Sequence, residues 1–328
     1  MPTLAADARL LDCLASLEKQ SWKDFETVVV DNSACGAVRR LDAAGFRFRL
    51  IENTRNAGFG EAVNQGYRLR PANYLAVLND DACAHPQWLE SLVGALESDR
   101  GAGMAASRIL LQGKNVLDSA GLGITVDGSS KQVSRMRPTE YEAKARDALI
   151  PSGCAAAYCG KMLDEVGLFE SEFFLYCEDS DLALRGHWAG WRCLYVPEAV
   201  VEHQYSASAG RASAVKAYYV ERNRLRLLVR NFPLSSLAAA PFYSLWRYAL
   251  HLLSAIRGVG KTGEFRSSGE PFWRLPLIVA KAHVSLLKAL PALLVQRARI
   301  RRSRHISAAE FKRRLERHRI SLREVAEQ

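Results

Sequence analysis

The sequence predicts an α/β protein with a doubly wound, mostly parallel sheet and a helical C-terminal extension. Short apolar runs typical of strands alternate with amphipathic helices through the N-terminal third of the 328-residue chain. Polar and acidic side chains follow directly after several of these runs, and such sheets bind ligands at the carboxyl ends of their strands. A content of 48% hydrophobic and 24% charged residues is that of a globular protein.

The N-terminal elements are predicted from periodicity. In chain order they are a helix over residues 7–20, strands over 25–30 and 46–51, a helix through Ala62, Val63 and Tyr67, a strand over 74–78 and a helix over 86–96. Residues 101–150 are less regular. We expect edge strands at 109–111 and 121–126 and a polar, mobile loop over 131–147. Regular structure is expected again from Ile150 to His203.

An acidic cluster stands inside an apolar and aromatic segment, FFLYCEDSD at residues 173–181. Carboxylates beside aromatic side chains are costly to desolvate unless they bind something. Glu178, Asp179 and Asp181 are therefore candidates for a general base or for metal ligands. The first turn of a helix also favours acidic residues, so a helix start is the alternative interpretation.

A second acidic site, Asn79-Asp80-Asp81, follows directly after the strand predicted over 74–78. Its place at the end of a strand of an α/β sheet favours ligand binding. Oxygen ligands suit Mg²⁺ or Mn²⁺, and those ions suit phosphate groups. The alternative is an ordinary turn.

Cysteine usage and charge set limits on the class of protein. Seven scattered cysteines without a C-x-x-C pair predict reduced thiols in a cytosolic protein, and no signal peptide is predicted. Of the net charge of +10, residues 257–328 contribute 17 Lys or Arg against six acidic residues. A basic tail can bind anionic lipid or nucleic acid, or it can be a solvated face. The segment at 297–305 lacks interleaved aromatic residues, so nucleic-acid binding is not expected.

One apolar stretch, residues 233–256, precedes that tail, and a second, residues 275–295, lies within it. Both are interrupted by charged residues. Each is a poor candidate for a spanning helix. Lys281 and Lys288 share one helix face, which favours a helix lying along a bilayer surface. The alternative is a pair of helices packed on the core or across a homodimer.

Six motifs in order give the chain a resemblance to a known family. They are VVVDNS at 28–33, NAGFGEAVNQGY at 56–67, LNDD at 78–81, FLYCEDSDLALR at 174–185, YVPEAVVEH at 195–203 and YYVERNRLRLL at 218–228. Over residues 8–232 the chain resembles the inverting glycosyltransferases of family 2, which have the GT-A fold. It looks most like the rhamnosyltransferase-type members that build bacterial cell-surface polysaccharide.

The resemblance implies a role for particular residues. Asp179 matches the catalytic base, Asp81 the metal-binding aspartate, and His203 a histidine that completes the metal site. The donor-nucleotide residues implied are Asp31, Asn56, Gly58, Asn64, Asn79 and Asp80. The residues implied for the acceptor or as outer partners are Glu178, Asp181 and Arg222.

The resemblance also implies the chemistry and the partners. A divalent cation, Mg²⁺ or Mn²⁺, would neutralise the leaving nucleoside diphosphate of a UDP- or dTDP-linked sugar. The acceptor would be a glycan or a polyprenyl-linked saccharide, reached from the inner face of the plasma membrane. The implied domains are a catalytic domain over 1–232 and a basic, amphipathic helical extension over 233–328.

The chain departs from the family at its start. Members usually open with an apolar strand central to the sheet, whereas this chain begins Met1-Pro2-Thr3-Leu4 and is expected to enter its first helix at once. We therefore expect the true start to lie upstream. Two other classes remain as alternatives: a degenerate GT-A binding or scaffold protein, and a nucleotidyltransferase of related topology.

Overall fold

The computed structural model describes residues 1–41, 43, 45–204, 213–258 and 273–327. The chain divides into two compact units. The first contains Met1–Leu122 and Gln132–Ser208, and the second contains Gly123–Lys131 and Ala209–Gln328. The boundary expected after residue 232 therefore falls inside the second unit, because the helix that ends at Asn231 packs against the long C-terminal helix.

The strands, in chain order, are β1 Pro2–Thr3, β2 Val28–Asp31, β3 Arg49–Glu52, β4 Tyr74–Leu78, β5 Ala82–Ala84, β6 Ala102–Leu111, β7 Leu117–Ser119, β8 Leu122–Ile124, β9 Ser130–Gln132, β10 Arg146–Ala148, β11 Ala155–Cys159 and β12 Arg192–His203. The α-helices are α1 Ala8–Glu18, α2 Ala37–Arg40, α3 Phe59–Leu69, α4 Trp88–Ser98, α5 Gly160–Val166, α6 Glu178–Trp188, α7 Ala214–Asn231, α8 Leu234–Ile256, α9 Arg274–Arg302, α10 Ala308–Arg317 and α11 Leu322–Glu327.

The first unit opens with a small parallel sheet in the order β1–β2–β3. The expectation of no strand ahead of α1 is wrong, because Pro2 and Thr3 pair with β2. The ladder is held by backbone bonds from Val30 to the Met1 carbonyl, 2.9 Å, and from Asn32 to the Thr3 carbonyl, 2.8 Å. After β1, Asp7 caps α1 by accepting from the backbone N–H of Arg9, and this cap starts the helix.

The larger sheet of the first unit runs β10–β12–β6–β11–β4, with β5 paired to β12 and β7 to β6. β11 is antiparallel to both β4 and β6, and β12 is parallel to β6. The carboxyl end of β4 therefore lies beside the start of β11, where Leu78 is opposite Ala155. This edge carries the second predicted acidic site, the acidic triplet Asn79-Asp80-Asp81.

β6 is an interior strand of ten residues, not the edge strand that was predicted over 109–111. Its first six residues, AGMAAS, are buried but are mostly Ala, Gly and Ser, which have weak strand propensity. The sequence pattern therefore gives no clear sign of a strand over these residues. The small side chains are needed for packing, since a Cβ at Gly103 would lie 2.7 Å from the Met162 sulfur.

The segment predicted as a polar, mobile loop over 131–147 has regular structure. It contains the end of β9, a 3₁₀ turn at Thr139–Glu142 and most of β10. Of the edge strand predicted over 121–126, residues 122–124 form β8, which pairs with β9. Short strands of two or three polar residues carry too little periodicity to be predicted.

The second unit contains helices α7 to α11 and the segment 123–131, and it encloses a buried ion-pair network. Arg247 Nε lies 2.7 Å from Asp127 Oδ2, and its Nη2 lies 2.7 Å from Glu221 Oε2. Arg224 Nη2 lies 2.5 Å from Glu221 Oε1. Burial opposes ionisation of Glu221, but the two guanidinium groups outweigh it and hold the pKa of Glu221 far below its usual value.

Within the described residues, α9 is the one helix long and apolar enough to cross a membrane by length and composition, and 11% of its most apolar window is buried. The expectation that residues 275–295 are a poor spanning candidate rested on the interruptions by Lys281, His283 and Lys288. By length and mean hydropathy alone, the helix that contains them passes the test for a spanning helix.

Candidate active site

The acidic cluster of the first unit occupies the first turn of α6, so the helix-start interpretation describes its local structure. The approach to that turn is strained. Phe174, Tyr176 and Cys177 all have φ between 64° and 69°, a conformation that residues with a Cβ rarely adopt. Strain of this kind persists only where the surroundings enforce it, and it is concentrated at functional sites. The helix start therefore does not exclude a catalytic role.

Glu178 is buried, and among the described residues its Oε2 has no hydrogen-bond partner. Burial raises the pKa of this carboxyl, and the neighbouring Asp179 carboxylate raises it further. Tyr158, whose hydroxyl is also buried without a partner in the described chain, lies close enough for both carboxylates to contribute to its raised pKa after burial. The two unsatisfied groups make this a polar site with unused hydrogen-bonding capacity.

Asp179 is half-buried and held by the backbone. Its Oδ2 accepts from the Gly153 N–H at 3.1 Å, and its Oδ1 accepts from the Ser180 N–H at 2.6 Å. Burial raises the pKa of Asp179, while these hydrogen bonds to the ionised form oppose the shift. The carboxylate is thus fixed in direction and keeps acceptor capacity for a further hydrogen bond.

The glycine loop before α3 packs directly against the strained segment before α6. The Phe59 N–H donates to the Phe174 carbonyl at 2.8 Å. Gly58 has φ 83°, and a Cβ there would stand 2.5 Å from the same Phe174 oxygen. The backbone at Gly58 therefore packs directly against the backbone of Phe174, and this contact holds the start of α6 in place.

We expect Gly58→Ala to lower the free energy of unfolding by about 2–5 kcal/mol, because the new methyl group combines backbone strain with a steric clash. Urea unfolding measures the change. Gly94→Ala is the matched control, since Gly94 lies in helix α4 with no atom within 4 Å of an added Cβ. Equal stabilities of the two variants would contradict the role given to Gly58.

Three residues predicted to line the nucleotide are used in local structure. Asn64 binds the backbone of Phe169 at both ends of its amide, at 2.8 and 3.0 Å. Asn56 accepts from the Gly58 N–H at 2.8 Å, forming a turn. Asp31 accepts from the N–H groups of residues 33 and 38, and these bonds outweigh burial and lower its pKa. Asn64 therefore has a packing role in this structure, and its contact with the nucleotide stays a prediction.

The structure brings Asp81 and His203 together, as predicted for a metal site. β5 pairs with the end of β12, which sets Ala82 opposite His203. Asp81 Oδ1 then lies 3.3 Å from His203 Nε2, and this oxygen is buried without an aligned hydrogen-bond donor among the described residues. On its other side, His203 Nδ1 lies 2.9 Å from Asp118 Oδ2.

This arrangement could hold a divalent cation. Asp81 Oδ1 and His203 Nε2 lie 3.3 Å apart, so both atoms could contact one ion. Asp118 orients the imidazole as outer carboxylates do in metal sites. In the described part of the chain no three His, Cys, Asp or Glu side chains are arranged to hold a metal, so phosphate and water would complete the coordination.

Without a metal, His203 favours its protonated form. Burial opposes the charge, but the Cys154 sulfur and the carboxylates of Asp118 and Asp81 outweigh burial and raise the pKa of His203 far above its ordinary value. Metal binding would therefore displace a proton from this ring.

The other two members of the acidic triplet lie beside Asp81. Asp80 is half-buried, accepts from the Thr3 hydroxyl at 2.6 Å, and has a pKa raised by burial. The Asn79 N–H donates to the Cys154 carbonyl at 2.9 Å. The triplet thus connects the short strand β1 to the start of β11.

Gly153 and Cys154 join the two acidic clusters. The Gly153 N–H holds the Asp179 carboxylate, and the next residue, Cys154, binds Asn79 through its backbone and lies beside His203. Asp179 and the Asp81–His203 pair therefore flank one turn at the carboxyl end of β4. An arrangement on opposite sides of the molecule, which would exclude a common site, is not observed.

Two predicted outer residues have other partners. Asp181 is buried and pairs with Arg185 at 2.9 Å, and that guanidinium also donates to the carbonyls of Gly167 and Leu168. Asp181 therefore secures the loop before α6 and does not line the site. Arg222 belongs to the second unit, where its guanidinium lies 4.7 Å from the centre of the Tyr219 ring.

Sequence reasoning missed Asp118, Gly153, Cys154 and Tyr158. Asp118 lies in a three-residue strand within an irregular region, which gives no signal. Ser152-Gly153-Cys154 stands directly before the apolar run of β11, so it could have been identified as another segment at a strand end. Tyr158 appears in the sequence as an ordinary strand aromatic.

Comparison with protein-family models identifies the family of this chain. The model of glycosyl transferase family 2 matches residues 1–167, just over half of the chain. The matched region contains β1 to β11, and with them both the acidic triplet and the Gly153-Cys154 turn. The sequence resemblance to this family is confirmed.

Curated relatives include named glycosyltransferases. The N-acetylglucosaminyl-diphospho-decaprenol L-rhamnosyltransferase of Mycobacterium tuberculosis is 26% identical over 232 residues, covering 61% of this chain and 73% of that protein. The amylovoran biosynthesis glycosyltransferase AmsB of Erwinia amylovora is 21% identical over 214 residues, covering 62% of this chain and 67% of AmsB. A match to the uncharacterised protein y4gI of Sinorhizobium fredii covers 59% of this chain but 23% of y4gI.

Solved structures share the fold. GalNAc-T7 with UDP, GalNAc and Mn²⁺ aligns with a TM-score of 0.56 at 14% identity, over 85% of this chain and 55% of that one. The mannosyltransferase PcManGT of Pyrobaculum calidifontis, in complex with GDP-Man and Mn²⁺, aligns with a TM-score of 0.50 at 17% identity, over 88% and 85%. The fold is GT-A, as the sequence predicted, and the protein belongs to glycosyl transferase family 2.

Proposed function

We propose that this protein is an inverting glycosyltransferase that moves a sugar from a UDP- or dTDP-linked donor to a saccharide or lipid-linked acceptor. The observation that supports this most directly is the pairing of a buried Asp81–His203 site with the fixed carboxylate of Asp179 around one turn. The solved relatives GalNAc-T7 and PcManGT bind nucleotide or nucleotide sugar with Mn²⁺, which is consistent with this proposal.

At the donor side, Asp81 and His203 would hold Mg²⁺ or Mn²⁺. Such an ion would neutralise the charge that develops on the leaving nucleoside diphosphate. Asn79 and Asp80, on the same turn, would line the donor. Asp118 keeps the imidazole of His203 oriented towards Asp81.

At the acceptor side, Asp179 would act as the general base. The acceptor oxygen forms a bond to the anomeric carbon as the bond from that carbon to the diphosphate oxygen breaks, and Asp179 takes the hydroxyl proton. A single displacement from the face opposite the leaving group inverts the anomeric configuration. General-base assistance of this kind contributes about 10²–10⁴-fold to the rate.

Glu178 would support this role by remaining protonated. Two carboxyl groups side by side in a buried site do not both ionise at neutral pH, and Glu178 is the more deeply buried of the two. A neutral Glu178 leaves one negative charge at the site, on the carboxylate that the backbone of Gly153 and Ser180 stabilises.

The acceptor is proposed to be a growing glycan or a polyprenyl-linked saccharide at the inner face of the plasma membrane, with the enzyme bound peripherally. The name of the M. tuberculosis relative describes a decaprenol-linked substrate, and AmsB is named for polysaccharide biosynthesis. The acceptor or outer role implied by the resemblance for Arg222, which stacks on Tyr219 in α7, stays a prediction.

The proposal is tested by incubating the purified full chain with UDP-, dTDP- and GDP-sugars in Mn²⁺ or EDTA and measuring release of nucleoside diphosphate. We expect one donor class to be hydrolysed slowly without acceptor, and only with the metal. Absence of turnover and of metal-dependent binding for every donor would favour a non-catalytic binding protein instead.

A further inference from the structure

Helix α8 of the second unit has its polar face inside and its apolar face outside. Its buried positions include Ala240, Ser244, Arg247 and Ser254, which follow one another at helical spacing. Its exposed large apolar residues are Leu234, Phe242, Leu245, Trp246, Leu252, Leu253 and Ile256. From Phe242 onward these positions also recur at helical spacing, so they form one continuous stripe. A surface helix of a soluble domain has the opposite arrangement.

Buried ion pairs fix the rotation of α8. Arg247 reaches inward to Asp127 and Glu221, each at 2.7 Å. The Tyr248 hydroxyl donates to Glu221 at 2.5 Å, and Ser244 accepts from Arg224 at 3.1 Å. Turning the helix to bury its apolar stripe would expose these partners and leave Asp127 and Glu221 charged without Arg247. The outward direction of the stripe is therefore built into the unit.

The outward stripe is large and aromatic. Leu234 is 73% exposed, Phe242 70% and Trp246 55%. Contiguous apolar patches of this kind on a protein surface mark sites of protein or membrane interaction. Trp in particular favours the membrane–water interface, where its ring is partly apolar and partly wet.

Charge decides which partner fits. Helices α8 and α9 contain no acidic residue. Arg247 and Arg297 are buried and engaged inside the unit, but Arg257, directly after α8, is exposed. α9 adds exposed apolar residues, including Leu277 and Leu287, with Lys281 and Lys288 also exposed. Apolar side chains accompanied by basic ones suit an anionic bilayer, which has negatively charged headgroups over an apolar acyl-chain layer.

We propose that the outward stripe of α8 inserts among the headgroups and upper acyl chains of an anionic lipid bilayer and holds the protein at the membrane surface. This deepens the proposed function, because it identifies which face would bring the enzyme to a lipid-linked acceptor. Helix α8 would lie along the bilayer, since its inner face is occupied by the ion-pair network.

The test is co-sedimentation of the full chain with vesicles of phosphatidylcholine alone or of phosphatidylcholine mixed with phosphatidylglycerol. We expect binding to the mixed vesicles that weakens in high salt. The double variant Phe242→Ser/Trp246→Ser should lower the partition coefficient by at least roughly tenfold, equivalent to about 1.4 kcal/mol. The matched control is Tyr141→Ser, which removes an aromatic residue 63% exposed in the first unit and should leave binding unchanged.

A second double variant and the oligomeric state of the protein in solution complete the test. If the first double variant fails to fold, as judged by circular dichroism, Leu252→Ser/Ile256→Ser alters the same stripe further along. Three results would each overturn the proposal. They are binding of both variants as strong as that of the wild type, no vesicle binding by the wild type, and a wild-type dimer in solution that the variants dissociate. Vesicle binding does not depend on turnover, so it is unchanged if the glycosyltransferase proposal fails.

Discussion

Asp179→Asn is expected to lower kcat by about 10²–10⁴-fold while leaving nucleotide affinity within a factor of about two, because it removes the proton acceptor and not a donor contact. The change is nearly isosteric. Turnover at saturating donor and acceptor gives the first quantity, and calorimetric titration with the nucleoside diphosphate and Mn²⁺ gives the second. A variant with near-normal turnover would remove Asp179 from the role of base.

The substitution has a structural cost that must be separated from its chemical effect. Asp179 accepts from both Gly153 and Ser180, and an Asn side chain has one oxygen with which to accept. We expect a loss of about 1 kcal/mol of stability, which leaves the protein folded. Asp164→Asn on α5 is the matched control, because Asp164 is exposed and its substitution makes the same change of charge outside the site. It should retain wild-type turnover.

The pH dependence should follow the same assignment. Burial raises the pKa of both Glu178 and Asp179 in the folded state. A carboxyl with a raised folded pKa favours folding below its unfolded pKa of about 4 and loses that contribution as pH rises through the folded value. Ionisation of the Glu178–Asp179 pair also produces the carboxylate that acts as the base. Activity should therefore rise with pH over the same range in which the protonated pair ceases to stabilise the fold. The titration belongs to the coupled pair and not to one residue.

Much of the fold was predictable because its first elements repeat a simple pattern. The helix at α1, the strand at β4 and the helix at α4 lie within two residues of their predicted bounds, since each has clear apolar periodicity. β6 was missed because an Ala- and Gly-rich run becomes an interior strand through the packing of its neighbours and not through propensity. Local pattern does not include that tertiary context.

The site was predictable to the extent that its residues follow strands. Each of Asp81 and His203 follows or ends an apolar run, the family resemblance implied their metal roles, and the pairing of β5 with β12 brings them together. The packing of Asn64 on the Phe169 backbone was not predictable, because a motif asparagine that binds a ligand and one that binds a backbone have the same sequence context. Gly153, which orients Asp179, contributes only its N–H, and any residue type can supply that group.

Asp81→Ala should weaken the Mn²⁺-dependent binding of a nucleoside diphosphate by at least about 10–100-fold, since even the loss of an outer partner of a metal ligand costs that much. The oxygen removed is the buried Oδ1 that faces His203 without an aligned donor. His203 keeps its contact with Asp118, so the ring stays in place and the fold should be retained. Calorimetric titration with UDP in Mn²⁺ and in EDTA measures the effect.

The two conditions separate a metal site from a structural ion pair. If Asp81 holds the cation, wild-type affinity falls sharply in EDTA, whereas the variant binds equally weakly in both conditions. If Asp81 only stabilises a protonated His203, the variant loses thermal stability but keeps the wild-type response to Mn²⁺. Asp24→Ala, an exposed change in the same unit, should behave as wild type in every measurement. Removal of the carboxylate therefore tests the donor half of the mechanism independently of Asp179.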